Sequence, residues 1–133
     1  MPCDYSIDCD HLLVRMYAWG EVTDADLLRH QGLIEADPMA APDFSQLVDV
    51  RAVTGIAGVT ARCLEEVARR HFEGLRAQSA FLVSRADRFG LARLIDAYVR
   101  EVCDEPSVGV FHDLQQALDW LEMSARRPYA RAA

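Results

Sequence analysis

The sequence predicts a single-domain α/β fold: a mixed, mostly parallel sheet with an antiparallel hairpin at its N-terminal edge and helices packed on the sheet. Three observations predict it. Short apolar runs alternate with longer segments of helical periodicity. The first two runs follow each other directly, whereas a helical segment separates each later pair, as crossovers between parallel strands require. The 133 residues, 51% of them hydrophobic, suit one domain with its own core.

The N-terminal hairpin consists of two expected strands. Residues 3–9 alternate in polarity, and residues 12–19 form an apolar run that Gly20 ends. The residues between them, Asp8 to His11, are polar and typical of a turn. Asp, Cys and His are metal-ligand types, but neighbours in an extended turn point apart. We therefore expect a polar turn, with no metal and no cofactor.

The first helix has both of its ends marked in the sequence. Thr23 and Asp26 have the spacing of a capping box, in which each side chain bonds to the backbone N–H of the other residue. The proline that follows Asp37 is typical of the point where a helix ends. The apolar spacing predicts an inward face formed by Leu27, Leu28, Gln31 and Ile34.

The remaining elements follow in alternation. Strands are predicted at residues 46–53, 79–84 and 107–111, and helices at about 59–75, at about 87–103 and from Asp113 onward. The complete order is ββαβαβαβα. The inward face of the last helix is predicted to consist of Leu114, Ala117, Leu118 and Leu121. Residues 1–123 are expected to form the domain, and residues 124–133 a flexible C-terminal tail.

The composition argues against several kinds of binding partner and cellular location. The chain has 14 basic and 21 acidic residues and a formal net charge of −7, which argues against general nucleic-acid binding. No apolar run reaches the ~18–20 residues of a membrane span. The N-terminus lacks the regions of a secretory signal, so we expect a cytoplasmic protein. The four cysteines form no C-x-x-C pair and are expected to be free, with Cys63 and Cys103 buried in helices.

Polar residues collect at the carboxyl ends of the parallel strands, where ligands of open α/β sheets bind. The residues expected at this edge are Asp49, Arg51, Ser84, Arg85, Arg88 and His112. Guanidinium groups beside helix N-termini suit a carboxylate or a phosphate, so the edge is predicted to bind an anion or a partner's acidic side chain. The alternative stays open that Asp49 and Arg51 form an internal ion pair, that Ser84 caps a helix and that the other arginines are solvated.

Several stretches resemble a known family. They are residues 14–24 (VRMYAWGEVTD), 47–53 (LVDVRAV), 89–92 (FGLA) and 110–121 (VFHDLQQALDWL). They are similar to the STAS-domain superfamily, the anti-sigma-factor-antagonist fold. The chain more closely resembles small stand-alone bacterial proteins described as STAS/SEC14-like or SpoIIAA-like. The resemblance implies a non-catalytic regulatory or interaction module that binds a protein partner or itself, for example as a homodimer.

The switch of the family is altered in this chain. The antagonists are regulated by phosphorylation of a Ser in a loop resembling D-S-S-G, just after the central strand. That loop falls at residues 57–60 (AGVT), which contain no Ser. Thr54 and Thr60 lie nearby, but neither matches the phosphoacceptor position. We therefore expect a module without a recognisable phospho-switch Ser.

Two other functions remain as alternatives. The SEC14-like half of the resemblance implies a carrier of a small apolar or lipid-like molecule. Five large aromatic residues could line its pocket: Tyr17, Trp19, Phe44, Phe81 and Trp120. They could equally belong to an ordinary hydrophobic core. An enzyme would be built around Asp49, Arg51 and His112, but no nucleophile and base have a decisive spacing. Cys63 and His71 are about two helical turns apart, too far for a direct bond, so we expect no catalytic site.

Overall fold

The structure, a computed structural model, describes residues 2–41, 43–72, 78–102 and 108–125. Strands and helices follow one another along these ranges in the predicted order. The strands are β1 (Cys3–Asp8), β2 (Leu13–Thr23), β3 (Ser45–Gly58), β4 (Ser79–Leu82) and β5 (Val108–Phe111). The helices are α1 (Asp24–Ala36), α2 (Ala61–Phe72), α3 (Leu91–Val102) and α4 (Leu114–Ala125).

The strands form one sheet whose spatial order is the order of the chain, β1-β2-β3-β4-β5. β1 and β2 are antiparallel, and every later neighbouring pair is parallel. The predicted α/β fold with a mixed, mostly parallel sheet and an N-terminal hairpin is therefore confirmed. None of the described helices is long and apolar enough to cross a membrane.

Two small cores lie on opposite faces of the sheet. On one face, Val14 and Met16 of β2 pack with Ile34 of α1, and α2 lies between α1 and α3 on that side. On the other face, Leu13 of β2 belongs to the core that contains Ala117 of α4. Residues 13 and 14 enter different cores because successive side chains of a strand point to opposite faces.

Side chains cap the starts of α1 and α4. At α1, the Thr23 Oγ1 accepts from the Asp26 N–H at 3.3 Å, and the Asp26 carboxylate accepts from the Thr23 N–H at 2.9 Å. At α4, the Asp113 carboxylate accepts from the Gln116 N–H at 3.0 Å. Such a cap satisfies N–H groups that lack a partner inside the helix and fixes where the helix begins.

Several predicted boundaries and core positions are wrong. β2 does not end at Gly20, because a φ of +67° there lets the backbone bend while the strand continues to Thr23. β3 runs to Gly58 because β2 pairs with it along this extra length. Leu28 and Leu114 were predicted to face inward but are 39% and 37% exposed, because the sheet covers only a narrow stripe of each helix.

The cysteine prediction is tested only in part. Cys3, Cys9 and Cys63 are free, and Cys63 is buried as expected, whereas Cys9 is exposed. Cys103, the predicted end of the second helix at residue 75 and most of the predicted tail lie outside the described residues.

Candidate functional site

β3 bends where it leaves its pairing with β4. Tyr17 of β2 pairs with Asp49, but Trp19 pairs with Ala52, so β3 holds one extra residue and forms a bulge. The Asp49 side chain closes this bulge by accepting a hydrogen bond from the Arg51 backbone N–H at 3.0 Å. Two further register shifts follow before Gly58. The Arg51 N–H therefore bonds to the nearby Asp49 side chain, in place of the carbonyl oxygen of a neighbouring strand that it would meet in a regular sheet.

Asp49 and Arg51 also form a bidentate ion pair within the strand. The guanidinium donates from Nε to Oδ1 at 3.1 Å and from Nη2 to Oδ2 at 2.9 Å. The bonded Asp49 carboxylate raises the pKa of Arg51 above its usual range, and Tyr17 and Asp113 add smaller effects. The Arg51 side chain is 42% exposed, so the pair stabilises the fold by at most about 1 kcal/mol. The ion pair also joins the two residues on either side of the bent point of β3.

The loop between β4 and α3 contributes the serine and the two arginines that follow β4. The Ser84 Oγ accepts from the Ala86 N–H at 3.3 Å and shapes the first turn of the loop. Arg85 and Arg88 are exposed, and neither has a hydrogen bond or an ion pair among the residues that the structure describes. These two guanidinium groups are therefore available to a ligand or a partner.

The N-terminus of α3 already has an anionic partner from the chain itself. Asp87 adopts a φ of +39°, and its carboxylate accepts from the Leu91 N–H at 2.7 Å and the Ala92 N–H at 3.2 Å. The N–H groups that the sequence suggested for an external anion are therefore engaged by a carboxylate of the same loop. The anion-binding capacity that remains at this edge belongs to the arginines.

His112 joins the ends of β4 and β5. Its Nδ1 lies 3.0 Å from the carbonyl oxygen of Val83, to which the ring donates in the matching tautomer. The Val83 N–H in turn donates to the carbonyl oxygen of Phe111 at 2.8 Å. This exchange across the two strand ends gives His112 a structural contact within the fold.

A cleft of about 320 Å³ lies beside the bent part of β3. Three of the six residues predicted for the site line it: Arg51, Ser84 and Arg88. Asp49, Arg85 and His112 lie at the same end of the sheet without lining the cleft. Its apolar wall was not predicted and consists of Val50, Val53, Val83, Phe89 and Leu91, together with Ala86. The sequence shows that residues 50 and 53 are apolar. It does not show that β4 ends at Leu82 and so leaves them uncovered on that side.

Thr60 caps α2 and is tied to the start of α1. Its backbone N–H and its hydroxyl both donate to the Asp24 carboxylate, at 2.7 Å and 2.8 Å, while its Oγ1 accepts from the Cys63 N–H at 3.1 Å. These bonds, led by the backbone N–H of Thr60, lower the pKa of Asp24. Thr54 is exposed and lines the cleft. The two threonines nearest the expected switch thus have different surroundings.

Replacement of Thr60 with Ala should lower the free energy of unfolding by about 1 kcal/mol, the usual effect of removing a helix N-cap. Thr60→Ala removes the acceptor for Cys63 and one donor to Asp24. Urea unfolding at neutral pH measures the difference. Thr54→Ala is the matched control and should change stability by less than about 0.5 kcal/mol, since Thr54 is exposed. Equal effects of the two substitutions would contradict the capping role.

Two large aromatic side chains lie exposed on β2. The rings of Tyr17 and Trp19 stack with centroids 5.3 Å apart and planes inclined by 23°. Their side chains are directed to the α4 face, the side that Leu13 occupies, yet Tyr17 is 44% exposed and Trp19 is 37% exposed. The sequence contained a signal for this exposure, because Arg15 and Glu21 alternate onto the same face of the strand.

The other three predicted aromatics belong to the interior. Phe44 packs against the core of Val14 and Met16, and Trp120 packs against the core beneath α4. Phe81 lies beside His71, with ring centroids 6.1 Å apart. A cavity of about 100 Å³ lies between the sheet and the helices α1 and α2, and His30 and His71 line it together with apolar side chains.

The remaining candidate groups have local partners. The His11 ring lies 2.8 Å from the Asp8 carboxylate, which also accepts from the His11 N–H at 3.1 Å, so these residues close the hairpin turn. Cys63 contacts the carbonyl oxygen of Asp24 at 3.7 Å, whereas His71 contacts the Ser79 hydroxyl at 3.3 Å. Within the described ranges, no three His, Cys, Asp or Glu side chains are grouped to hold a metal ion.

Comparisons with known proteins bear on the fold. No family model matches the sequence, and no curated protein matches it. Among solved structures, the chain is similar to an uncharacterised protein of the DUF3478 family with a SpoIIAA-like fold from Shewanella loihica PV-4. The TM-score is 0.61 at 18% sequence identity, and the match covers 90% of this chain and 91% of that one. The protein therefore has a SpoIIAA-like fold, the STAS-type α/β architecture that its sequence resembles.

Proposed function

We propose that this protein is a non-catalytic regulatory or interaction module of the STAS type, which binds a protein partner or itself without a phospho-switch Ser. The observation that carries the proposal is the exposed, stacked pair of Tyr17 and Trp19. Each ring can bury a large area on contact, and Tyr and Trp are the residue types that most often dominate binding energy at protein interfaces.

The surroundings of the aromatic pair have the layout of a protein interface. The strand register places Asp4 of β1 beside Tyr17 on one side and Asp49 of β3 beside it on the other. Arg15 and Glu21 lie on the same face of β2 and are exposed. An aromatic centre with charged residues of both signs around it suits a protein surface of mixed polarity. The carboxylates around the pair disfavour a nucleic-acid strand, whose phosphates they would repel.

The interior supports the module over the carrier. A small-molecule site usually has about 300–1,000 Å³. The cavity between the sheet and helices α1 and α2 has about 100 Å³, so a lipid-like molecule would not fit there without displacing core side chains. Two clefts reach the usual size, about 320 Å³ beside β3 and about 370 Å³ between β2 and α4, but charged side chains such as Arg88 and Arg15 line them, which does not suit an apolar molecule. The SpoIIAA-like fold agrees with the module as well, because the antagonists that the sequence resembles act by binding proteins.

The paired substitution Tyr17→Ser with Trp19→Ser should weaken binding to a partner or to a second copy by at least about thirtyfold, the effect of losing one hot-spot aromatic. Sedimentation velocity over a range of concentrations measures self-association. Affinity capture from the protein's own cell extract compares the proteins that the wild type and the variant retain. The substitutions should also lower the free energy of unfolding, by about 1–3 kcal/mol, because more than half of each ring is covered, so binding is compared under conditions in which both proteins are folded.

Met39→Ser is the matched control, because Met39 is 54% exposed and lies outside this face. It should leave both measurements unchanged. The proposal would be abandoned if the wild type stayed monomeric at every concentration and all three proteins retained the same set of captured proteins.

A further inference from the structure

β3 extends beyond the strand on its far side. Its pairing with β4 covers residues 46–49, and β4 ends at Leu82, whereas β3 continues to Gly58. β2 accompanies β3 on the opposite side as far as the pair Thr23 and Gly58. In the described ranges, no strand pairs with residues 50–58 of β3 on the β4 side. The Arg51 N–H already donates to Asp49, and the Ile56 carbonyl oxygen accepts from Val59. A strand edge of this kind otherwise presents backbone N–H and C=O groups with which an extended chain can pair.

The cleft of about 320 Å³ lies along the first part of this edge, residues 50–54. The loop that follows β4 forms its opposite wall, and Val53 of β3 and Phe89 of the loop provide apolar surface, with Phe89 39% exposed. The charge in the cleft is uneven. Arg51 and Asp87 are engaged with groups of the chain itself, whereas Arg88 has no bond within the described part of the chain. As far as the described residues show, the cleft thus combines a backbone edge, an apolar wall and, in Arg88, a guanidinium group without a bond.

The space between β3 and the loop after β4 suits a single added strand better than the sheet of a second copy of the protein. A strand paired with residues 50–58 would continue the line of β4 past Leu82, between β3 and the loop. The β3 edge of a second copy would bring its own β2 with it, since β2 pairs with β3 along this whole length. The loop and the start of α3 occupy the space that such a second sheet would need.

We propose that the free edge of β3 binds an extended segment of a partner protein by strand addition. Backbone pairing with residues 50–58 supplies the affinity, an apolar side chain of the segment contacts Val53 and Phe89, and an acidic side chain pairs with Arg88. The inference rests on the proposed role as an interaction module, but its surface is distinct from the Tyr17–Trp19 pair.

The test uses the full chain and a short fluorescein-labelled peptide in which Val alternates with Glu. Fluorescence anisotropy measures its binding. We expect saturable binding, which N-methylation of alternate backbone nitrogens abolishes because the methyl groups prevent strand pairing. A peptide with Lys in place of Glu should bind about tenfold more weakly. Arg88→Glu should invert this preference, because it reverses the charge that the acidic side chain of the peptide would meet. Arg29→Glu, on an exposed position of α1 outside the cleft, should change neither affinity.

Several outcomes would overturn the proposal. They are the absence of an anisotropy change with the folded wild type, equal binding of the N-methylated peptide, or an unchanged preference in Arg88→Glu. A dimer that the Arg88→Glu substitution dissociates would show that a second copy occupies the edge instead. Tyr17→Ser with Trp19→Ser should leave peptide binding intact. Loss of peptide binding alone therefore removes the edge site, whereas loss of the aromatic-pair effect as well removes the interaction module.

Discussion

Acidification from pH 7 to pH 4 should lower the free energy of unfolding by about 3 kcal/mol through one group, His71. The ring lies between α2 and β4, with Nε2 3.3 Å from the Ser79 hydroxyl and Phe81 beside it. Burial, with a smaller repulsion from His30, lowers the pKa of His71 from 6.5 to about 4. The unfolded chain therefore binds a proton near pH 6.5, while the folded protein resists it until about pH 4.

The sign follows from this difference in protonation. Above pH 6.5 the imidazole is neutral in both states and stability is at its full value, and below that pH the unfolded state gains the proton first. The loss accumulates between about pH 6.5 and pH 4. Asp24 and Glu35, whose pKa values the fold also lowers, add to the loss of stability at the acid end of this window, because the unfolded chain protonates their carboxylates first.

The measurement is urea unfolding at intervals between pH 7 and pH 4 for the wild type and His71→Gln. The variant should be less stable at pH 7 but should show a flatter pH dependence, because glutamine takes up no proton. Thr54→Gln is the matched control, because Thr54 is exposed and neither side chain takes up a proton in this range, and it should keep the wild-type slope. Parallel profiles for the wild type and His71→Gln would show that burial of His71 does not set the acid sensitivity.

Leu82→Ala should lower the free energy of unfolding by about 2–5 kcal/mol, the range for truncation of a fully buried leucine. Leu82 is 0% exposed and pairs with Asp49 on one side and Phe111 on the other, so it lies in the middle of the sheet. Ala80 of β4 and Val83, which follows the strand, are also 0% exposed. A packed surrounding of this kind cannot collapse fully onto the space that the side chain leaves.

Thermal and urea unfolding at pH 7 measure the effect. Leu82→Met, which nearly conserves volume, should lower the free energy of unfolding by less than about 1.5 kcal/mol. Leu33→Ala serves as the surface control, because Leu33 is 47% exposed on α1. A loss below about 1 kcal/mol for Leu82→Ala would mean that the sheet centre repacks, contrary to the close packing inferred here.

The sequence predicted the fold where local signals decide it. The capping box of Thr23 and Asp26 fixes the start of α1 through bonds between residues three apart. The apolar runs give the order of strands and helices, and parallel crossovers leave few alternative sheets. Leu28 was misassigned because helical periodicity shows an apolar stripe without showing how much of it the sheet covers.

The candidate site was less predictable because it depends on contacts between residues that are far apart in the sequence. Asp49 and Arg51 were predicted near the end of a strand that stops at residue 53, whereas β3 continues to Gly58. Their role in closing a bulge within β3 depends on the register between β2 and β3. That register arises from pairing between segments far apart in the chain. The cleft likewise depends on where β4 ends. The sequence did not show this, because the apolar run at residues 79–84 is longer than the strand, which ends at Leu82.

The chain-order arrangement of the sheet has a consequence for how the protein is made. Each strand after β1 is added beside the strand that precedes it in the sequence, so every helical crossover spans only neighbouring strands. Each parallel pairing therefore closes only the loop of one crossover, which keeps the entropic cost of joining the strands low for a parallel sheet. On the ribosome, the hairpin and β3 can pair before β4 and β5 have been synthesised. The growing sheet then presents the whole of β3 as its edge, and the arrival of β4 covers only the part up to Asp49.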